Sequence, residues 1–413
     1  MNIAYSILVC AVWFLSTYFT MVLILTLLLH KESLFISPEH KGEKLYKVSI
    51  VISAYDEEKD IAATIESLKQ VDYPKELLEI IVLNDGSKDN TAQVIKPYAD
   101  KKEVIFIDNL KNKGKAACLN QGIAVASGEF VACMDADTIA DKDVLLKTIP
   151  YFKDKKIGAV TVPVEVKNPK NLLEKVIELE YILGLSLFLK VLSMFDTILV
   201  TPGPFSIYRK TMLNEIGSFD PTNITEDLEI AYRIHKAKYK IACCLNTKVT
   251  TIIPDTFKGL YYQRKRWYSG ALLTLMQHRK MLLKKDYGLF GYFVPFNYTI
   301  ILLGLGLFLY SLYLFFSNIV KAVSYFYLTD FNIWTHLMAL KVFDPLLFSI
   351  FEFLGIASIS MTVIALVIGL VYTNKSIKGR YVSSVGFVLL FFLYQVFWFS
   401  SVYSVLTKRK IKW

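Results

Sequence analysis

Apolar residues are distributed along this chain in two ways. Toward its ends they form long blocks: Ile3–Leu29, Tyr287–Phe316, Leu346–Thr373 and Val382–Leu406. Each block exceeds the roughly 20 residues that a helix needs to cross a bilayer. Between residues 48 and 162 they form short runs instead, at Val48–Ser53, Glu79–Leu83, Val104–Ile107, Phe130–Met134 and Ala159–Val162. Amphipathic stretches such as Ile61–Gln70 and Lys115–Ala126 lie between these runs. That alternation predicts a mainly parallel sheet with helices on both faces, flanked by transmembrane helices.

Ile3–Leu29 is uncharged, and Met1-Asn2 supplies no Lys or Arg. A secretory signal has a basic start and a shorter apolar core, so the block reads as a retained anchor over residues 1–30. His30, Lys31, Lys41, Lys44 and Lys47 follow it, which places the next segment in the cytosol and the N-terminus outside. The expected organisation is a cytosolic domain over 47–256, an interfacial segment over 257–285, a membrane region of about three spans over 287–407, and a basic tail, 408–413. Glu352 lies inside one of the later blocks and would face protein or water. Three spans leave Lys408-Arg409-Lys410 on the outer side, against the positive-inside rule. Either Ile319–Phe343 hides another membrane element, or Tyr287–Phe316 begins as a surface helix.

Several further segments carry a pattern of their own. Leu172–Phe195 is helical, rich in Leu, Ile and Phe, and too interrupted by Glu174, Glu178, Glu180 and Lys190 to span. Its second half is expected to pack on the membrane or the spans. Thr201-Pro202-Gly203-Pro204 is a turn leading into a strand, and it suits either a groove wall or an ordinary connection. Ile224-Thr225-Glu226-Asp227 opens an amphipathic helix in which Thr225 is a natural N-cap and His235 an exposed residue. Phe257–Lys285 holds eight Lys and Arg and no acid, interleaved with Leu, Tyr and Trp. That composition suits a helix in the headgroup plane.

The strand ends carry the candidate chemistry. The first ends in Tyr55-Asp56-Glu57, the second in Asn84-Asp85-Gly86, and the fourth in Asp135-Ala136-Asp137. In a doubly wound sheet these meet at one edge, in the crevice where nucleotides bind. Two carboxylates one residue apart repel unless water or a cation lies between them, and oxygen ligands suit Mg²⁺ or Mn²⁺. Asp135 and Asp137 also suit a turn capping a helix, and Asp85 before Gly86 suits a plain turn. Lys111-Asn112-Lys113-Gly114-Lys115 precedes a helix and fits either a phosphate or a solvated basic loop. Asp227 at a helix start could take a proton from a sugar hydroxyl. Trp267 offers a flat face to a sugar ring, and Arg266 could hold a diphosphate.

Composition adds two constraints. The 413 residues are 54% hydrophobic, too apolar for a wholly soluble protein, and a net charge of +10 sits largely beside apolar stretches. This points to an anionic membrane surface and away from nucleic acid. Five cysteines without metal or redox spacing read as reduced thiols.

With Asp85, Asp135-Ala136-Asp137, Thr225-Glu226-Asp227 and Gln263-Arg264-Lys265-Arg266-Trp267 in this order, the chain resembles the processive membrane-bound family 2 glycosyltransferases, which include cellulose, chitin, hyaluronan and poly-N-acetylglucosamine synthases. The resemblance covers roughly 48–270. It implies a GT-A fold, a Rossmann-related α/β domain, that binds a UDP-sugar on the cytosolic face of the cell membrane. By that likeness Tyr55 stacks near the uracil, Asp85 bonds the uridine, and Lys115 and Arg266 contact the diphosphate. Asp56, Glu57, Asp135 and Gln263 join the nucleotide-sugar site, although Asp56 stands where the family usually shows Asn. Asp137, with Asp135, would hold the metal. Asp227, beside Glu226, is the implied base for transfer with inversion, and Gly203, Pro204 and Trp267 line the acceptor site.

The implied product is a β-linked polysaccharide extended by this chain, with its translocation as a second implied step; an accessory membrane subunit or a homo-oligomer would supply further channel helices. Transfer of one sugar to a lipid carrier is the nearest alternative, and a transporter or nucleotide-sensing scaffold without catalysis is one of another class. The sugar itself is expected to be N-acetylglucosamine, because Gln263–Gly270 looks most like the poly-N-acetylglucosamine and chitin type, with glucose or an alternating polymer as the alternatives.

Overall fold

The computed structural model describes residues 3–38, 45–328 and 350–408. Helix α1 (Ile3–Leu29) leads into a domain built on a seven-stranded sheet. Its strands are β1 (Val48–Ala54), β2 (Leu78–Asp85), β3 (Ile105–Asn109), β4 (Phe130–Asp135), β6 (Ile157–Thr161), β8 (Phe205–Arg209) and β9 (Lys240–Cys243). They lie in the order β3-β2-β1-β4-β8-β6-β9. All five expected strands are present and run in one direction, and β9 joins them. Only β8 is reversed, pairing antiparallel with both β4 and β6. A smaller sheet joins β5 (Ile139–Ala140), β10 (Val249–Thr251) and β7 (Val164–Val166).

The alternating faces of the central strands explain why the sheet is covered on both sides. Ile50, Ile52 and Val82 point into one apolar cluster with Ile61 and Ile65 of α2 (Ile61–Lys69) and Ile95 of α3 (Thr91–Asp100). Val51, Leu83 and Val131 point into the other, with Leu119 and Ile123 of α4 (Lys115–Val125). These side chains are essentially inaccessible, and burial of each aliphatic group stabilises the fold by about 1.5–3 kcal/mol. Strand runs buried on both faces are what a parallel sheet between two helix layers requires.

Beneath the domain lie helices that connect it to the apolar blocks. Helix α5 (Leu172–Ile182) starts at a capping box in which Asn171 and Glu174 bond each other's backbone amides, then passes through a π-helical turn, Leu183–Phe188. As expected for its second half, Leu183 and Leu187 meet Gly369 of a long apolar helix. Helix α6 (Glu226–Lys236) carries His235 on its inner face. This corrects the expectation of an exposed residue: His235 donates from Nε2 to the Ile198 carbonyl at 2.8 Å and stacks on Phe290 at 4.0 Å. Burial lowers its pKa to about 4, so it is neutral. The basic segment forms α7 (Phe257–Gln277).

Among the described residues four helices are long and apolar enough to cross a membrane: α1, α8 (Phe290–Leu328), α9 (Ile350–Tyr372) and α10 (Tyr381–Leu406). Helix α8 runs antiparallel to α1, with Tyr5 against Tyr310 and Phe19 against Phe293. Helix α9 instead runs parallel to α1, with Thr17 Oγ1 3.1 Å from Ser358 Oγ and Tyr372 donating to the Leu27 carbonyl. The segment 329–343, where a further membrane element was one reading, lies outside the described residues, as do Lys41, Lys44 and residues 409–413.

Candidate active site

The sheet register brings three strand ends to one edge. Ser53 pairs with Asp135 and Ala54 with Asn84, so Tyr55, Asp85 and Asp135 leave adjacent strands side by side. Tyr55 is exposed, as a stacking residue must be. Asp85 is buried, and its two oxygens accept from the amides of Lys113 and Gly114, each at 2.9 Å. The second strand end thereby fixes the loop before α4. Asp56 sits in the left-handed region at φ 56° and accepts from the Lys88 amide at 2.7 Å, joining the first and second strand ends.

Helix α4 opens with Lys115, whose ammonium lies 2.6 Å from Asp135 Oδ1 and 3.0 Å from Glu226 Oε1. Burial opposes the charge, but Asp135, Glu226 and Asp227 together hold its pKa well above the ordinary lysine value. Gly203 crosses directly over this pair: a Cβ there would stand 2.8 Å from Lys115 Nζ and 3.2 Å from Asp135 Oδ2. Lys115, Gly203, Glu226 and Asp227 line one small pocket with Cys133 and Pro202. The start of α6 is tied to this turn by Thr201, which donates to the Asp227 carbonyl from N at 3.1 Å and Oγ1 at 2.8 Å. Thr225 occupies the N-cap position, but its hydroxyl donates to Asn223 at 3.2 Å instead of accepting from the helix. Pro204 follows Gly203 at the entry to β8.

Burial and crowding of like charges set the protonation of the acids. Burial and the neighbouring Glu226 push the Asp227 carboxyl up to about 7, against the pull of Lys115 and Arg266. Burial, then Asp135, raises Asp137 to about 6, although Thr251 donates to its Oδ1 at 3.2 Å. Burial, then Asp137, raises Glu57 to about 8. Among the described residues no three acids, histidines or cysteines form a ready-made cation cage. Mg²⁺ commonly binds through one or two carboxylates together with substrate phosphates, and Asp137 with Asp135 fits that mode.

Helix α7 packs on α6 beside the site. Gly270 permits it to touch α6, since a Cβ would fall 2.2 Å from Thr225 Oγ1. Trp267 is partly buried against the core. The wholly buried Arg264 lies 4.1 Å above the Trp267 ring and bonds Glu180 at 2.6 Å. Gln263 accepts from Arg264 at 2.9 Å, so here it supports that arginine. Sequence reasoning assigned no role to Arg264, Glu180, Thr201 or Thr251. An acid inside an apolar helix was the available signal for Glu180, and a threonine opening a Gly/Pro turn was the one for Thr201.

Residues 49–217 match the family described as glycosyl transferase family 2. The poly-beta-1,6-N-acetyl-D-glucosamine synthase of Staphylococcus epidermidis is 33% identical over 247 residues, 60% of this chain and 59% of the relative. The synthase of the same description from Staphylococcus aureus strain COL is 33% identical over 248 residues, 60% of each protein. The chain thus spans about 60% of the length of the curated relatives it matches. In fold it is similar to the mannosyltransferase PcManGT from Pyrobaculum calidifontis, solved in complex with GDP-Man and Mn²⁺, with a TM-score of 0.59 at 14% identity over 97% of this chain and 100% of that one. Residues 49–217 are a family 2 glycosyltransferase domain of GT-A-like α/β fold, set between long apolar helices.

Proposed function

We propose that this protein is an inverting glycosyltransferase that uses UDP-N-acetylglucosamine to extend a β-linked polysaccharide at the cytosolic face of the membrane. The observation that carries the reading is the placement of a carboxyl with pKa near 7, Asp227, in the same pocket as the partly buried cation Lys115. A general base works best with a pKa near the operating pH. Asp227 accepts the proton of the acceptor hydroxyl as that oxygen attacks the anomeric carbon, and the bond to the nucleoside diphosphate breaks on the opposite face. Lys115 and Arg266 stabilise the charge that develops on the departing diphosphate. Glu226 and Asp135 hold Lys115 in place.

Asp137, with Asp135, would hold Mg²⁺ or Mn²⁺, which when bound neutralises part of the diphosphate charge. Tyr55, Asp56 and Glu57 with Asp85 form the nucleotide side of the cleft, and Gly203, Pro204 and Trp267 its acceptor side. The similarity to poly-beta-1,6-N-acetyl-D-glucosamine synthases supports N-acetylglucosamine as the sugar and a polymer as the product. The test is to offer membranes containing the protein a panel of UDP-sugars with Mg²⁺ or Mn²⁺ and to follow UDP release and product length. UDP release with UDP-N-acetylglucosamine and a high polymer are expected. A single lipid-linked sugar would favour the lipid-carrier alternative, and UDP binding without turnover would remove the enzymatic reading.

A further inference from the structure

We propose that α10, although long and apolar enough to span, lies flat along the catalytic domain in the plane of the membrane and returns residue 408 to the catalytic side. Helices α8 and α9 each pair lengthwise with α1, as described above. Helix α10 instead follows the domain from end to end. At its head Arg380 bonds the buried carboxylate of Glu178 on α5. Nearly two turns on, the Cβ direction of Gly386 points at Val176, also on α5. Near its far end Trp398 stacks on Tyr268 of α7 at 4.3 Å and 6°, and Ser401 donates to the Lys265 carbonyl at 3.4 Å.

Both supporting helices belong to the domain itself, since Asn171 before α5 donates to the Asp255 carbonyl and Asn223 before α6 donates to Thr274 of α7. A helix that crossed the bilayer would leave this layer after its first two turns. At 1.5 Å per residue α10 is about 39 Å long, and it does not leave it.

Its two faces specify the partner. Residues at a spacing of three and four, including Phe387, Leu390, Phe397 and Ser401, are buried against the domain. The opposite stripe, Val385, Leu389, Phe392, Val396, Phe399 and Tyr403, is exposed along the whole length. No charge occurs between Tyr381 and Leu406. An uncharged stripe at the level where α9 ends and α8 begins fits the acyl boundary of the catalytic-side leaflet. In an ordinary interfacial helix the second face is polar and wet; here the protein covers it. The assignment also removes the conflict with the positive-inside rule, because three crossings by α1, α8 and α9 leave Lys408 on the side of the domain.

Single cysteines at exposed positions test this in the full chain. Thr407→Cys, Lys101→Cys on the domain and Leu328→Cys at the end of α8 would be challenged with a membrane-impermeant maleimide in sealed vesicles of both orientations. Position 407 is expected to label from the same side as 101; labelling from the opposite side overturns the proposal. Spin labels at 385, 392, 399 and 403 give an independent reading of depth from oxygen against nickel accessibility. A constant depth along the stripe supports the in-plane helix, and a maximum at 392 with shallow ends overturns it.

Discussion

The acids of the site differ in their surroundings more than in their chemistry, and this decides what each can do. Asp227 has a carboxyl held near 7 by burial and Glu226, so turnover at low substrate should rise with pH up to about 7 and then level. Stability should move the other way. The folded protein binds that proton more tightly than the unfolded chain, so the contribution is complete below the ordinary carboxyl value and is lost as pH rises through about 7. Asp227→Asn should abolish the pH-dependent limb and lower sugar transfer by about 10²–10⁴-fold while UDP-sugar binding is retained. Near-normal turnover by that variant would remove Asp227 from the base role. Gly203→Ala is a steric test at the same place. Its methyl would press on Lys115 and Asp135, and turnover should fall without a change in the melting temperature of the membrane-extracted protein.

At the scale of elements, the parallel strands were legible because each is a short apolar run closed by polar residues, and the acids at their tips followed from strand direction alone. The antiparallel insertion of β8 was not, since Phe205–Arg209 carries no mark of its partners. Nor was the role of Arg264. In sequence it is one of several bases in a headgroup-type helix, and only packing reveals a buried guanidinium clamped between Trp267 and Glu180. His235 was misread for a related reason: an amphipathic pattern does not say that a second apolar helix, through Phe290, will cover the polar edge. The Arg264 clamp makes a specific prediction. Lysine keeps the charge but not the planar face over the indole, so Arg264→Lys should disorder Trp267 and weaken acceptor use, with UDP-sugar affinity unchanged. Shorter products at saturating donor would be the signature, and an unaltered product ladder would count against a positioning role.

For the whole molecule, length and composition mark the long apolar helices among the described residues but do not distinguish a helix that crosses from one that lies beneath the domain. The distinction rests on long-range ion pairs that no local pattern encodes. Glu178 is buried and takes both Lys375, at 2.7 Å, and Arg380, on the segment joining α9 to α10. Although burial opposes ionisation, these two cations keep its carboxyl below the ordinary value, so the tether is present at neutral pH and lost as pH falls through that lowered value. Lys375 has a second acceptor in Glu165 at 3.1 Å, whereas the Arg380 guanidinium bonds Glu178. Glu178→Ala should therefore loosen residues 376–380 more than 373–375. Charged hydrogen bonds of this kind contribute about 1.5–3 kcal/mol, and each 1.4 kcal/mol shifts an open–closed equilibrium tenfold. Trypsin added to the catalytic side should then cleave after Arg380 at least about tenfold faster than in the parent protein. Equal cleavage rates would mean that the apolar contacts of α10 with α5 and α7 fix the loop without help from Glu178.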